Sequence, residues 1–110
     1  MKILELQPRT TSGSSNIVKA DGGESARIQL NITAASGTTP ALNVLLEDSV
    51  DSGATWNTIS TFAQKTAASR EVISVSQPFA EILRVSWTIT GASANFTFGV
   101  DLSLATRRGN

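Results

Sequence analysis

Leu83-Arg84-Val85-Ser86-Trp87-Thr88-Ile89, then Thr90-Gly91-Ala92-Ser93-Ala94, then Asn95-Phe96-Thr97-Phe98-Gly99-Val100-Asp101-Leu102-Ser103-Leu104, is the stretch whose reading decides the fold. Leu83, Val85, Trp87 and Ile89 alternate with Arg84, Ser86 and Thr88. Phe96, Phe98, Val100, Leu102 and Leu104 alternate with Thr97, Gly99, Asp101 and Ser103. A period of two sends successive side chains to opposite faces, so each run reads as a half-buried strand. The five-residue, Gly-containing piece between them reads as a connector, which predicts a β-hairpin. Trp87, Phe96 and Phe98 all have core positions in this reading.

Working outward, the same alternation recurs. Ala26, Ile28, Leu30 and Ile32 take one face over residues 24–33, and Leu42, Val44 and Leu46 take one face after the Ser/Gly/Thr/Pro connector 34–40. Leu45 is the apolar residue on the outward face of that second strand. Residues 55–62 form another strand, in which Ile59 is out of phase with Trp56 and Phe62; this predicts a bulge there or burial on both faces. Residues 70–76 make a short strand before Pro78. Residues 3–6, closed by Pro8, and residues 16–20 are weaker candidates. Turns come about every ten residues and no helical period persists. The expectation is an all-β, antiparallel two-sheet β-sandwich of about seven or eight strands, Ig-like or jelly-roll-like, with a closed barrel as the alternative.

At 110 residues the chain reads as a single domain, with residues 7–16 and the tail 105–110 as candidates for flexible segments. Nine basic residues balance nine acidic ones. That balance lacks the electrostatic footprint of a nucleic-acid or membrane-surface binder. Without cysteine there are no disulfides and no thiolate metal sites. The apolar run at Met1-Lys2-Ile3-Leu4 is interrupted by Glu5 and is too short for a signal peptide, so synthesis in the cytoplasm is expected.

The sharpest local motif is Ser49-Val50-Asp51-Ser52-Gly53-Ala54-Thr55-Trp56. It matches the Asp-box, the Ser-x-Asp-x-Gly-x-Thr-Trp hairpin turn found in sialidase-like propellers and in other β proteins. Asp51 can accept backbone hydrogen bonds across such a turn, Gly53 can take positive φ, and Trp56 can pack beneath it. The turn Ser49, Asp51, Gly53, Thr55 and Trp56 therefore reads as a structural staple. A weak cation site at Glu47, Asp48 and Asp51 is the alternative, with spacing unlike an EF-hand.

Catalysis is poorly supplied. The chain has no His, Cys or Tyr, which removes the commonest general base, the strongest nucleophile and the sialidase nucleophile. A carboxylate pair of Glu47 with Glu71 or Glu81 remains, beside Lys and Arg residues that make solvated surface charge the plainer reading. The expectation is a protein that is not an enzyme and needs no cofactor. Arg84 faces away from Leu83, Val85 and Trp87 and reads as a solvated residue or a contact to a neighbouring chain. Glycan binding would need exposed rings, and only Phe62 and Phe79 are spare in this reading.

Asn31-Ile32-Thr33-Ala34-Ala35-Ser36-Gly37-Thr38-Thr39-Pro40-Ala41-Leu42-Asn43-Val44, the Asp-box turn, Phe62-Ala63-Gln64-Lys65-Thr66, residues 83–91 and Ala94-Asn95-Phe96-Thr97-Phe98-Gly99-Val100 together resemble small β-sandwich proteins of tailed-bacteriophage structural gene clusters. The resemblance runs from Ile28 to Val100. It implies a virion component: first a homo-oligomeric capsid decoration (cement) protein on the assembled head, with the major capsid protein or other virion proteins as partner, or else a neck or tail protein. It carries over no catalytic residue. A glycan-binding module displayed on the virion is the reading of a different class. Leu45, Arg84, Arg107 and Arg108 are the candidate partner contacts.

Overall fold

Seven strands account for most of the residues described by the computed structural model, which are 2–20, 23–76 and 79–106, with Thr106 described by its backbone alone. They are β1 (Lys2–Arg9), β2 (Gly13–Ser14), β3 (Val18–Lys19), β4 (Gly23–Ser49), β5 (Asn57–Thr61), β6 (Ser69–Ser76) and β7 (Ile82–Thr106). All pairings are antiparallel.

The two long strands organise the rest. β4 has 27 residues and β7 has 25, and they pair with each other from Gly23↔Thr106 to Ser49↔Ile82. A straight strand of that length would span roughly 90 Å, yet the longest dimension of the molecule is 52 Å. The ribbon is therefore bent over on itself. Trp87 and Phe98 show the same thing directly, because their ring centroids lie 5.7 Å apart although the two residues are eleven positions apart along β7.

The bend has a local cause. Thr33, Gly37, Thr39 and Pro40 of β4 and Gly91, Ser93 and Ala94 of β7 have no partner in the ladder. Every positive φ in this region falls on one of them: Gly37 at 116°, Thr39 at 45°, Gly91 at 114° and Ser93 at 52°. Unpaired residues in a ladder are bulges, which bend a strand and increase its twist. The bulges also switch the inward-facing set of β7 from odd numbers (Leu83, Val85) to even ones (Phe96, Phe98, Val100, Leu102).

This corrects the hairpin expected within residues 82–104. The two halves of β7 do not pair with each other; each pairs with a half of β4, and the segments 34–40 and 90–94 face one another at the corner. The sandwich itself is as expected. One layer has the order β6, β4 (residues 23–35), β7 (residues 95–106), β1. The other has β5, β4 (residues 41–49), β7 (residues 82–90), with β2 and β3 sharing its edge. A ribbon folded across two layers is the jelly-roll plan rather than the Ig one.

Between the layers lies one apolar core. Ile28, Leu30 and Ile32 from one half of β4 meet Leu42, Val44 and Leu46 from the other, with Leu83, Val85, Phe96, Phe98, Val100 and Leu102 from β7. Trp87 packs on this core without being enclosed by it. β1 runs through Pro8 rather than ending there; as an edge strand it tolerates a residue without an N–H. The bulge expected at Ile59 is present, since Leu46 pairs with Ser60 and Glu47 with Thr58, leaving Ile59 between them.

Candidate functional site

The end of the sandwich where β4 turns into β5 holds the densest polar network. Ser49 closes β4 with its side chain fully buried. Its hydroxyl donates to Asp51 Oδ1 at 2.7 Å, while Ser49 Oγ accepts from the backbone N–H groups of Gly53 at 2.9 Å and Asp51 at 3.3 Å. Asp51 accepts from the Thr55 N–H at Oδ1 (2.9 Å) and from the Thr55 hydroxyl at Oδ2 (2.6 Å). Ser52 and Gly53 take the positive φ values of 61° and 93° that reverse the chain. A Cβ on Gly53 would lie 3.5 Å from Trp56 Cζ2, so the indole sits under the turn.

These hydrogen bonds stabilise the carboxylate over the acid. They hold the Asp51 pKa down at about 2, the Thr55 hydroxyl and N–H contributing most and the Ser49 hydroxyl next. Because the folded pKa lies below the ordinary value of 3.8, the turn's contribution is complete above about pH 4 and is lost as pH falls towards 2. Asp51→Asn is therefore expected to lower the melting temperature at pH 7, and the gap from wild type should close in a titration down to pH ~2. A gap that stays constant with pH would show that the charge of Asp51 has no part in the turn.

The three carboxylates weighed as a cation site point to separate partners. Asp48 Oδ2 accepts from the Ala80 N–H at 3.0 Å, Glu47 pairs with Arg84, and Asp51 is occupied within the turn. Among the described residues no group of three or more acidic side chains is placed to hold a metal ion. Glu71 and Glu81 are also separated from Glu47 in their contacts. Glu71 pairs with Lys65 at 2.6 Å, and Glu81 accepts from the Ser52 hydroxyl at 3.4 Å.

Arg84 is more committed than its outward position indicated. Its Nε lies 2.8 Å from Glu47 Oε1, directly across the ladder, and its guanidinium carbon stands 4.2 Å from the centre of the Trp56 ring. The pair is half-buried, so Arg84 fastens the Asp-box tryptophan to the second layer through a cation–π contact. Leu45 is half-buried between Thr61 and Ser86. Arg107 and Arg108 lie outside the described residues. Among the described residues, the large apolar side chains that face solvent are Val50 (76%), Ile17 (54%), Leu6 (45%) and Val72 (43%).

A second polar assembly, at the β1 edge, went unread in the sequence. Arg9 reaches across the opening between the layers and donates to the carbonyls of Phe98 (2.6 Å), Glu5 (2.8 Å) and Gln7 (3.2 Å). Its guanidinium also lies against the Phe98 and Trp87 rings, at 4.8 and 5.2 Å from their centres. Partial burial lowers its pKa, but an arginine stays protonated and keeps all its donors. No local pattern marks this role, because Glu5 and Gln7 expose carbonyls only through the bulge between Leu4 and Gln7.

Residues 10–15, a loop or flexible arm by composition, lie along the edge of β7. Gly13 and Ser14 pair with Trp87 and Ser86, the Ser12 and Ser15 hydroxyls accept from the N–H groups of Ile89 and Val85, and the Thr11 carbonyl accepts from Trp87 Nε1 at 2.9 Å. Trp87 is thereby partly covered. Arg9 stacks on it and Gly13 lies against its six-membered ring, where a Cβ would be 3.0 Å from Cζ2. Phe62 and Phe79, the rings left spare by the sequence, are buried at 2% and 9% exposure. Phe96 and Phe98 lie in the core, and Trp56 and Trp87 are half-buried, each with an arginine guanidinium against its ring.

No family model matches the sequence, and no curated protein matches it either. Solved structures do share its fold. A structure of the carbohydrate-binding module CBM4 matches with a TM-score of 0.60 at 17% identity, over 86% of this chain and 61% of that one. A chain of the infectious bursal disease virus structure, Gx strain, matches with a TM-score of 0.56 at 15% identity, over 100% of this chain and 32% of that one. The chain thus spans less than two thirds of the length of either. At these identities the likeness is one of fold, and it establishes a β-sandwich. No helix among the described residues is long and apolar enough to cross a membrane.

Proposed function

We propose that this protein is a structural component of a tailed-phage virion, a decoration protein that binds the outer surface of the assembled head. The observation that carries the reading is where the rings go. Four of the six aromatic side chains, Phe62, Phe79, Phe96 and Phe98, are buried, and the two half-buried tryptophans each have an arginine against the ring, so recognition is left mainly to sheet faces, sheet edges and loops. Such surfaces suit contacts with other proteins repeated over a lattice better than they suit stacking on sugars. The resemblance of residues 28–100 to phage β-sandwich proteins points the same way, and the fold shared with a chain of a virus structure is compatible with it.

In this reading the partner is the major capsid protein. The balanced charge gives no attraction for DNA or membrane, and the absence of His, Cys and Tyr leaves no ready acid–base or covalent chemistry. A decoration site exists only on the assembled shell, so the purified protein should bind pre-formed expanded capsids and not isolated subunits. Many weak contacts on a symmetric shell would raise its disruption temperature. The test heats capsids with and without saturating protein and images both by cryo-electron microscopy. Unchanged disruption and no added shell density would move the protein to the neck or tail. Retention on a glycan array would instead favour the carbohydrate-binding reading that the CBM4-like fold keeps in view.

A further inference from the structure

The edges of the two layers are not equally protected. β1 is broken by two register shifts and carries Pro8. β5 has five residues and a bulge at Ile59, and β2 and β3 have two residues each. Short strands, bulges, prolines and charges are the devices that keep sheet edges from pairing with other chains. β6 has none of these along Val72-Ile73-Ser74-Val75-Ser76. Its eight residues pair with β4 in unbroken register, from Ser76↔Ser25 to Ser69↔Ile32, and its other side has no strand partner among the described residues. Its charges, Arg70 and Glu71, stand together near one end.

We infer that β6 is a self-pairing edge, through which two copies of this chain join antiparallel into one continuous sheet. The side chains select the second copy as occupant and also select the register. A two-fold axis perpendicular to the sheet keeps inner faces with inner faces, so residues pair only with residues of the same face. Centring it on Arg70 or Glu71 opposes like charges, which is destabilising. Centring it on Val72 sets Val72 against Val72 of the second copy, Arg70 against Ser74 and Glu71 against Ile73. No like charges meet, and the exposed outer-face Val72 gains an apolar neighbour. Centring it on Ile73 would leave Val72 opposite Ser74. The inference is independent of the virion reading, because it concerns the protein alone in solution.

A strand-sized interface is small, so the dimer should form with a dissociation constant on the order of 10–100 μM. Sedimentation equilibrium of the full chain is expected to show a reversible rise to twice the monomer mass. Val72→Lys, which would place two ammonium groups at the axis, should weaken association at least tenfold with the melting temperature of the dilute protein unchanged. The native chain has no cysteine, so introduced thiols report register cleanly. Val72→Cys should form a covalent dimer under mild oxidation, since directly opposite Cα atoms lie about 4.5–5.5 Å apart. Ser74→Cys should not, because it would lie about 13 Å along the strand from its mate. A chain that stays monomeric at about 1 mM, a Val72→Lys variant that associates like wild type, or equal cross-linking of the two cysteine variants would overturn the inference. Capsid binding can succeed or fail under any of these results.

Discussion

Gly91→Val is expected to give a chain that no longer closes into a sandwich, with loss of at least about 3 kcal/mol or no folded protein at all. Two penalties act at one position. Gly91 has φ of 114°, a region that a β-branched residue resists strongly. A side chain there would also meet backbone, because its Cβ would lie 2.8 Å from the Thr39 carbonyl oxygen and 2.9 Å from Pro40 Cα. The opposing strand cannot yield, since its own bulge faces the same corner. Gly37→Val should behave alike, with a Cβ 2.7 Å from Ala94 Cα and φ of 116°. Circular dichroism and denaturant melts of both variants provide the check. If residues 90–94 were a hairpin connector after all, the substitutions would cost no more than an ordinary surface-turn change.

Phe98→Ala is expected to cost about 3–5 kcal/mol, the range for truncating a fully buried aromatic. Phe98 is enclosed in the core, meets the Trp87 ring edge-on, and forms part of the surface under the Arg9 guanidinium. Its loss removes core volume and loosens the edge where β1 and residues 10–15 close the sandwich. Thr97→Ala, one position along and on the opposite face, should change stability by less than roughly 0.5 kcal/mol. Urea unfolding of the two variants gives the comparison. Equal effects would mean that the inward set of this half of β7 has been placed on the wrong face.

The strands themselves were legible along the chain, because burial on one face of a sheet imposes a period of two that needs no knowledge of partners. Ile28, Leu30 and Ile32, Leu42, Val44 and Leu46, and both halves of β7 were readable on that ground. So was Ile59, whose phase error is a bulge in the ladder. The Asp-box was legible for a similar reason: Ser49, Asp51, Gly53 and Thr55 satisfy one another within seven residues.

Partner choice was not legible, because it is made between residues far apart in sequence. A Gly-rich, Ser/Thr-rich break between two alternating runs reads the same whether the chain reverses there or a paired ribbon bends. The tertiary structure decided for the bend, by setting Gly37 and Gly91 opposite each other's strand and bringing Phe98 back to Trp87. The same distance effect hid the hold of Arg84 on Glu47 and Trp56, and of Arg9 on the bulge carbonyls. Sequence alternation assigns a side chain to a face; only the folded ladder determines which charge or ring stands beside it.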